Sequence, residues 1–128
     1  MTKLLKAYQT EIDNYPNAQI VVLTREETLD LLEKIVKDFN IPKERKVVVW
    51  FDKTKASKAG YYAKLNGISF PDPVQLYHIA HEFAHHLDVT RKFTSGEDVP
   101  KYYKWHGKSF LLCLDEVYAF ISNFYKVN

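Results

Sequence analysis

Apolar residues recur at three- and four-residue spacing in three stretches of the chain, which predicts three amphipathic helices. These helices are expected at about 3–13, 24–39 and 107–125. The second has the clearest start, because Thr24 followed three residues later by Glu27 is the pattern of a capping box. The positions expected to face the core are Leu4, Leu5, Tyr8, Ile12, Leu29, Leu32, Ile35, Val36, Phe39, Phe110, Leu111, Leu114, Val117, Tyr118, Ile121 and Phe124.

Runs of β-branched and aromatic residues predict the strands. Gln19–Leu23 and Lys46–Asp52 are such runs, and the second is apolar enough to be a central strand. Residues 60–65 and 68–70 flank Asn66-Gly67, a strong signal for a two-residue hairpin turn. The order of elements predicts an α+β fold, in which a small twisted β-sheet packs with helices. One strand beside the functional helix is expected to be a sheet edge, which could accept an extended peptide.

Composition adds the size class and the compartment. With 128 residues, 46% of them hydrophobic and 27% charged, residues 1–128 are expected to form a single domain with its own core. A net charge of +2 is too small to predict nucleic-acid binding by itself. No apolar run approaches the roughly 20 residues of a membrane span, and the N-terminus lacks a signal-peptide core. With Cys113 as the single cysteine, these features predict an intracellular, cytoplasmic protein with no membrane partner.

The candidate chemistry is carried by the pentad His81-Glu82-Phe83-Ala84-His85. Residues 75–89 around it contain neither Pro nor Gly, so one helix can run through the motif. Residues four apart lie on one face of a helix, so His81 and His85 can supply two nitrogen ligands to a tetrahedral zinc. Glu82 lies about 100° around the helix from His81. It can therefore reach a metal-bound water as a general base without being a ligand.

A catalytic zinc needs a third protein ligand and an open position for water. Two downstream residues are candidates: His106, which follows Trp105, and Glu116, which lies within the predicted last helix. The residue pattern leaves both possibilities open.

The paired motifs His81-Glu82-x-x-His85 and His106-Gly107-x-x-Phe110 resemble those of the SprT-like (Spartan-type) zinc metallopeptidase domain, over roughly residues 61–125. The resemblance implies a minimal zincin-like metalloprotease fold, a Zn²⁺ cofactor and His106 as the third ligand. It also implies hydrolysis of peptide bonds in a protein or peptide substrate, with Glu82 as the catalytic base.

Two alternatives differ in function. With Glu116 as the third ligand, the chain would be similar to the ImmA/IrrE-type regulatory proteases, which are gluzincins. Alternatively, the zinc could be structural and the protein a non-catalytic binding module, although a structural site has no use for a base at Glu82. If His106 is the ligand, Glu116 could still orient an imidazole through its free N–H.

The remaining polar candidates have more ordinary interpretations. His78, one turn before His81, could be an extra ligand, whereas His86 is expected at the surface or in support of a ligand. Asp88 shares a face with His81 and could also support the site. Tyr102 and Tyr103 could approach a developing oxyanion, although a core or surface role is the expected one for each, and Cys113 is expected to be a packing residue.

The segment Lys43–Lys64 has a local excess of positive charge, which could meet phosphates or an acidic substrate. A solvated strand-and-loop surface explains this excess equally well, so nucleic acid is only a weakly supported partner. The seven basic residues, set against Glu44 and Asp52, are Lys43, Arg45, Lys46, Lys53, Lys55, Lys58 and Lys64.

Overall fold

The computed structural model describes residues 3–53, 58–94 and 97–128, which form the α+β arrangement that the order of elements predicts. This part of the chain contains α1 (Lys3–Asn14), α2 (Arg25–Asp38), α3 (Leu76–Lys92) and α4 (Lys108–Ile121). Its strands are β1 (Val22–Leu23), β2 (Val48–Phe51), β3 (Gly60–Tyr62), β4 (Gly67–Phe70) and β5 (Val74–Gln75). They form two small sheets, β1–β5 and β2–β4–β3, where one sheet was expected.

The predicted helices are confirmed, but their buried faces differ from the expected ones. The capping box at the start of α2 is present, since Thr24 and Glu27 exchange backbone and side-chain hydrogen bonds of 3.0 and 3.1 Å. Leu29 was expected in the core and is 48% exposed, because α2 turns Thr28 and Leu31 inward instead. The predicted core residues Ile12 and Phe124 are also largely exposed, and the side chains of Leu4 and Leu5 lie outside the described residues.

The prediction that residues 46–52 form a central strand is wrong. β2 lies at the edge of its sheet, and β4 lies between β2 and β3. All four residues of β4 are buried, and β2 runs parallel to it. The close approach of β2 depends on Gly67, because a Cβ there would lie 2.6 Å from the ring of Trp50.

The other strands are shorter than predicted. The run 19–23 yields only the two residues of β1, because Pro16–Gln19 form a turn of 3₁₀ helix. β1 pairs with β5, a strand that the sequence pattern did not predict.

β3 and β4 form the expected hairpin, although residues 63–66, and not two residues, connect the strands. Asn66 ends this connection with φ 50°, a backbone conformation that asparagine tolerates better than most residues.

α3 lies at the centre of the described structure. Thirteen of its 17 residues are buried, and it packs along α4 on one side and against the strands β3, β4 and β5 on another. Within the described residues, no helix is both long and apolar enough to cross a lipid bilayer. The central position of α3 means that the surroundings of the His81–His85 motif come from several other elements, among them α1, α4 and β3.

The capping box of α2 provides a test of the fold. Thr24→Ala should lower the free energy of unfolding by about 1 kcal/mol, because the backbone N–H of Glu27 loses its hydrogen-bond acceptor. Chemical denaturation measures this change. Thr24→Ser keeps the hydroxyl and should cost only a small fraction of that, so equal losses in the two variants would contradict the assignment.

Candidate metal centre

Three imidazoles converge beside α3. His81 and His85 project from one face of this helix, and His106 approaches from the turn that precedes α4. One nitrogen from each ring lies within 4.8 Å of the others, so the three could hold a metal ion. The Nε2 atoms of His81 and His106 are 3.2 Å apart. Two nitrogens bound to a tetrahedral zinc at 2.0–2.1 Å would be separated by about 3.3 Å, which matches this distance closely.

Two of the three imidazoles also have the protonation state that a metal requires. Burial holds the pKa of His85 well below its usual value, and the neighbouring His81 and His106 lower it further. Burial, with a contribution from His81, lowers the pKa of His106 to about 4. Both rings are therefore neutral near pH 7 and have lone pairs available. These two rings, together with the imidazole of His81, are a ligand set that suits zinc.

Glu82 lies next to this cluster and is only 7% exposed. It lines a hollow of about 180 Å³ together with Tyr61, His85, Trp105 and His106. Burial raises the pKa of Glu82 to about 7, with a further increase from Glu11 and an opposing effect from His81. A carboxylate with such a pKa can both accept and return a proton near neutral pH.

A residue that the sequence pattern did not single out completes the centre. Glu11 of α1 is 1% exposed, and its Oε2 lies 3.0 Å from Nδ1 of His81. Burial lowers the pKa of His81, but the hydrogen bond to Glu11 and the charges of Glu11 and Glu82 outweigh this effect and raise it. The one signal in the sequence was the position of Glu11 three residues after Tyr8, a charge on the apolar face of a helix.

Glu116, the rival third ligand, lies outside the imidazole cluster among the described residues. Its two carboxylate oxygens accept hydrogen bonds of 2.5 and 3.0 Å from the guanidinium of Arg91. Its side chain is 47% exposed, and the bidentate pair with Arg91 lowers its pKa. The structure therefore brings together His81, His85 and His106, and directs Glu116 to a surface ion pair.

The sequence analysis placed His86 either at the surface or in support of a ligand, and the surface position is wrong. It is fully buried, and its Nε2 donates to the backbone carbonyl of Arg45 at 2.8 Å. Because a carbonyl can only accept, Nδ1 is the acceptor for the hydroxyl of Tyr61, also at 2.8 Å. His86 thus anchors Tyr61, which in turn lines the hollow beside Glu82.

The other candidates lie outside the group of three imidazoles in the described structure. His78 accepts a hydrogen bond of 3.0 Å from the backbone N–H of Gln75 at the start of α3. Asp88 accepts one from the hydroxyl of Tyr103, whereas Tyr102 is 84% exposed. Cys113 is buried on α4, as expected of a packing residue.

The basic segment 43–64 is less uniform than its sequence suggested. Arg45 is buried at 4% exposure, and Lys64 pairs with Asp98 at 3.2 Å, while Lys55 lies outside the described residues. Nucleic-acid binding by this segment stays a prediction.

No family model, curated protein or solved structure matches this chain. Function is therefore inferred from the residues and geometry of the centre itself.

Alanine at His81, His85 or His106 should lower zinc affinity by several orders of magnitude, because each change removes one of three ligands. Glu116→Gln should leave the affinity within a few-fold of wild type, since its partner is Arg91. Competition with a chromophoric chelator measures all four variants. A larger loss from Glu116→Gln than from His106→Ala would contradict the proposed ligand set.

Proposed function

We propose that this protein is a zinc-dependent endopeptidase of the SprT-like, zincin-like type, which hydrolyses peptide bonds in protein or peptide substrates. The observation that carries the proposal is the convergence of three imidazoles with a buried carboxylate, Glu82, on the same helix as two of them. Structural zinc sites use four protein ligands, whereas three leave one position for water.

The roles of the residues follow from this arrangement. His81, His85 and His106 would hold the ion. A zinc ion there would lower the pKa of a bound water and polarise the scissile carbonyl. Glu82 accepts the proton of the attacking water and delivers it to the leaving amine.

The space around Glu82 favours cleavage within a chain over removal of a terminal residue. Beside the smaller hollow of about 180 Å³ lies a larger one of about 540 Å³, and Glu82 lines both. The residues that line the larger hollow include Tyr8, Ile12, Tyr77 and Lys58. A peptide whose scissile bond lies at Glu82 would therefore have both hollows available to it.

β3 supplies a second feature that suits a peptide substrate. It lies at one edge of the sheet β2–β4–β3 in the described structure, which confirms the expectation of a sheet edge beside the functional helix. β3 carries Tyr61 into the wall of the smaller hollow. Unpaired main-chain groups on an edge strand can bind an extended substrate by β-augmentation.

Two observations weigh against the alternatives. The pairing of Glu116 with Arg91 leaves it poorly suited to the ligand role that the ImmA/IrrE-like alternative requires. The burial of Glu82 weighs against a binding module with a structural zinc, because burying a carboxylate costs free energy that such a module would not need to spend.

Glu82→Gln is the decisive test, since it nearly preserves shape but removes the proton acceptor. The variant should fold and bind zinc, yet lose roughly 10²–10⁴-fold in peptidase rate. An unfolded protein substrate, with zinc content verified for both proteins, provides the measurement. Glu116→Gln is the matched control and should retain activity. Equal rates for wild type and Glu82→Gln would rule the mechanism out.

Zinc removal should destabilise the protein, because a ligand that binds only the native state stabilises it by mass action. At a free zinc concentration about 100 times Kd, the free energy of unfolding should rise by about 2.7 kcal/mol. Denaturation with zinc and with a chelator measures the difference. The triple alanine variant at His81, His85 and His106 should show none, and an undiminished zinc effect in it would place the ion elsewhere.

A further inference from the structure

The buried carboxylate of Glu11 has both of its oxygens engaged. Carboxylates are almost never fully buried unless they are paired, and Glu11 is 1% exposed. Its Oε2 accepts from Nδ1 of His81 at 3.0 Å, and its Oε1 accepts from the hydroxyl of Tyr118 at 2.5 Å. Three helices meet at this one side chain, because Glu11 belongs to α1, His81 to α3 and Tyr118 to α4.

This contact decides which nitrogen His81 can offer to a metal. A carboxylate can only accept, so Nδ1 of His81 carries the shared proton. Nε2 is then the ligand atom, and it is the atom that lies 3.2 Å from Nε2 of His106. The hydrogen bond to Glu11 therefore directs the lone pair of His81 toward the point where the three imidazoles converge.

The orientation of the ring is fixed from the same helix. Tyr8, one turn before Glu11, stacks on His81 with ring centroids 4.7 Å apart and an interplanar angle of 9°. The ring of His85 stacks on Phe110 with centroids 4.2 Å apart, but its Nδ1 is buried without a hydrogen-bond partner among the described residues. Of the two α3 imidazoles in the cluster, His81 and His85, only His81 is thus held by a carboxylate within the described residues.

Stability alone does not explain why a carboxylate occupies this position. Replacing a buried charged group and its partner by apolar side chains of similar volume is often neutral or stabilising. Hydrogen bonds to the second nitrogen of a metal-bound histidine, in contrast, fix its tautomer and increase its basicity.

We propose that Glu11 is a positioning residue of the metal centre, which holds the imidazole of His81 with Nε2 toward the ion and makes α1 a functional part of the site. This inference rests on the metal site of the proposed function and does not depend on peptide hydrolysis.

The test compares Glu11→Gln and Glu11→Ala with Asp13→Asn, which removes the same charge from an exposed position of α1. Zinc affinity, measured by chelator competition, should fall about 10–100-fold in the Glu11 variants. Glutamine should lose less than alanine, because its carbonyl oxygen can still accept from Nδ1. Asp13→Asn should bind zinc as wild type does, and Tyr118→Phe should cause a smaller loss because the contact between Glu11 and His81 survives.

A second readout separates positioning from a general loss of stability. With Co²⁺ in place of zinc, the visible absorption band of Glu11→Ala should change in shape or position, since the geometry of the ligands changes. The stabilisation by zinc, taken as loaded minus metal-free protein, should also shrink in both Glu11 variants. If Glu11 were only structural, both forms would be destabilised equally and the difference would persist, which would overturn the proposal.

The outcomes also separate this inference from the peptidase proposal. Zinc binding that weakens in the Glu11 variants, in a wild-type protein that cleaves no peptide, would support the positioning role and contradict the proposed reaction. Zinc affinity and a Co²⁺ spectrum unchanged in both Glu11 variants would overturn the positioning role, whatever the wild-type activity.

Discussion

The polar side chains buried along α3 need hydrogen-bond partners, and this need constrains the rest of the described structure. Burying a polar group without a hydrogen-bond partner costs about 1–3 kcal/mol by mutational measures, and burying an unpaired charge costs more. Partners accordingly come from distant elements: Glu11 reaches His81 from α1, while Tyr61 and the carbonyl of Arg45 reach His86. The six buried polar residues of this helix are His78, His81, Glu82, His85, His86 and Asp88.

Local signals in the sequence predicted much of this arrangement, while pairings between distant segments could not be predicted. The α2 capping box and the ligand pair His81 and His85 each depend on residues within one helical turn, so the sequence displays them directly. The central position of β4 depends instead on which strands pair with it, and the apolar run 46–52 carries no information on its neighbours. The same reason explains why β5 was missed.

In the candidate metal centre, too, local signals could be predicted from the sequence and contacts between distant residues could not. His106 and Glu116 were both chemically reasonable, and spacing alone could not choose between them. In the structure His106 lies with His81 and His85, while the guanidinium of Arg91 engages Glu116 across 25 residues of sequence. Glu11 was missed because its burial depends on His81, 70 residues away, and on Tyr118, 107 residues away. A charge on the apolar face of α1 was the only local sign of it.

A metal ion held at the centre would link metal binding to folding. The imidazoles of His85 and His106 are neutral, and one nitrogen from each of them and from His81 lies close to the others in a small shared space. A cation in that space would give all three imidazole nitrogens a partner at once. Since α1, α3 and the turn before α4 must be packed together for this geometry to exist, the binding free energy of the ion contributes to holding these elements in place. The packing of α1, α3 and the turn before α4 around the ion would then both stabilise the fold and position Glu82 beside the ion.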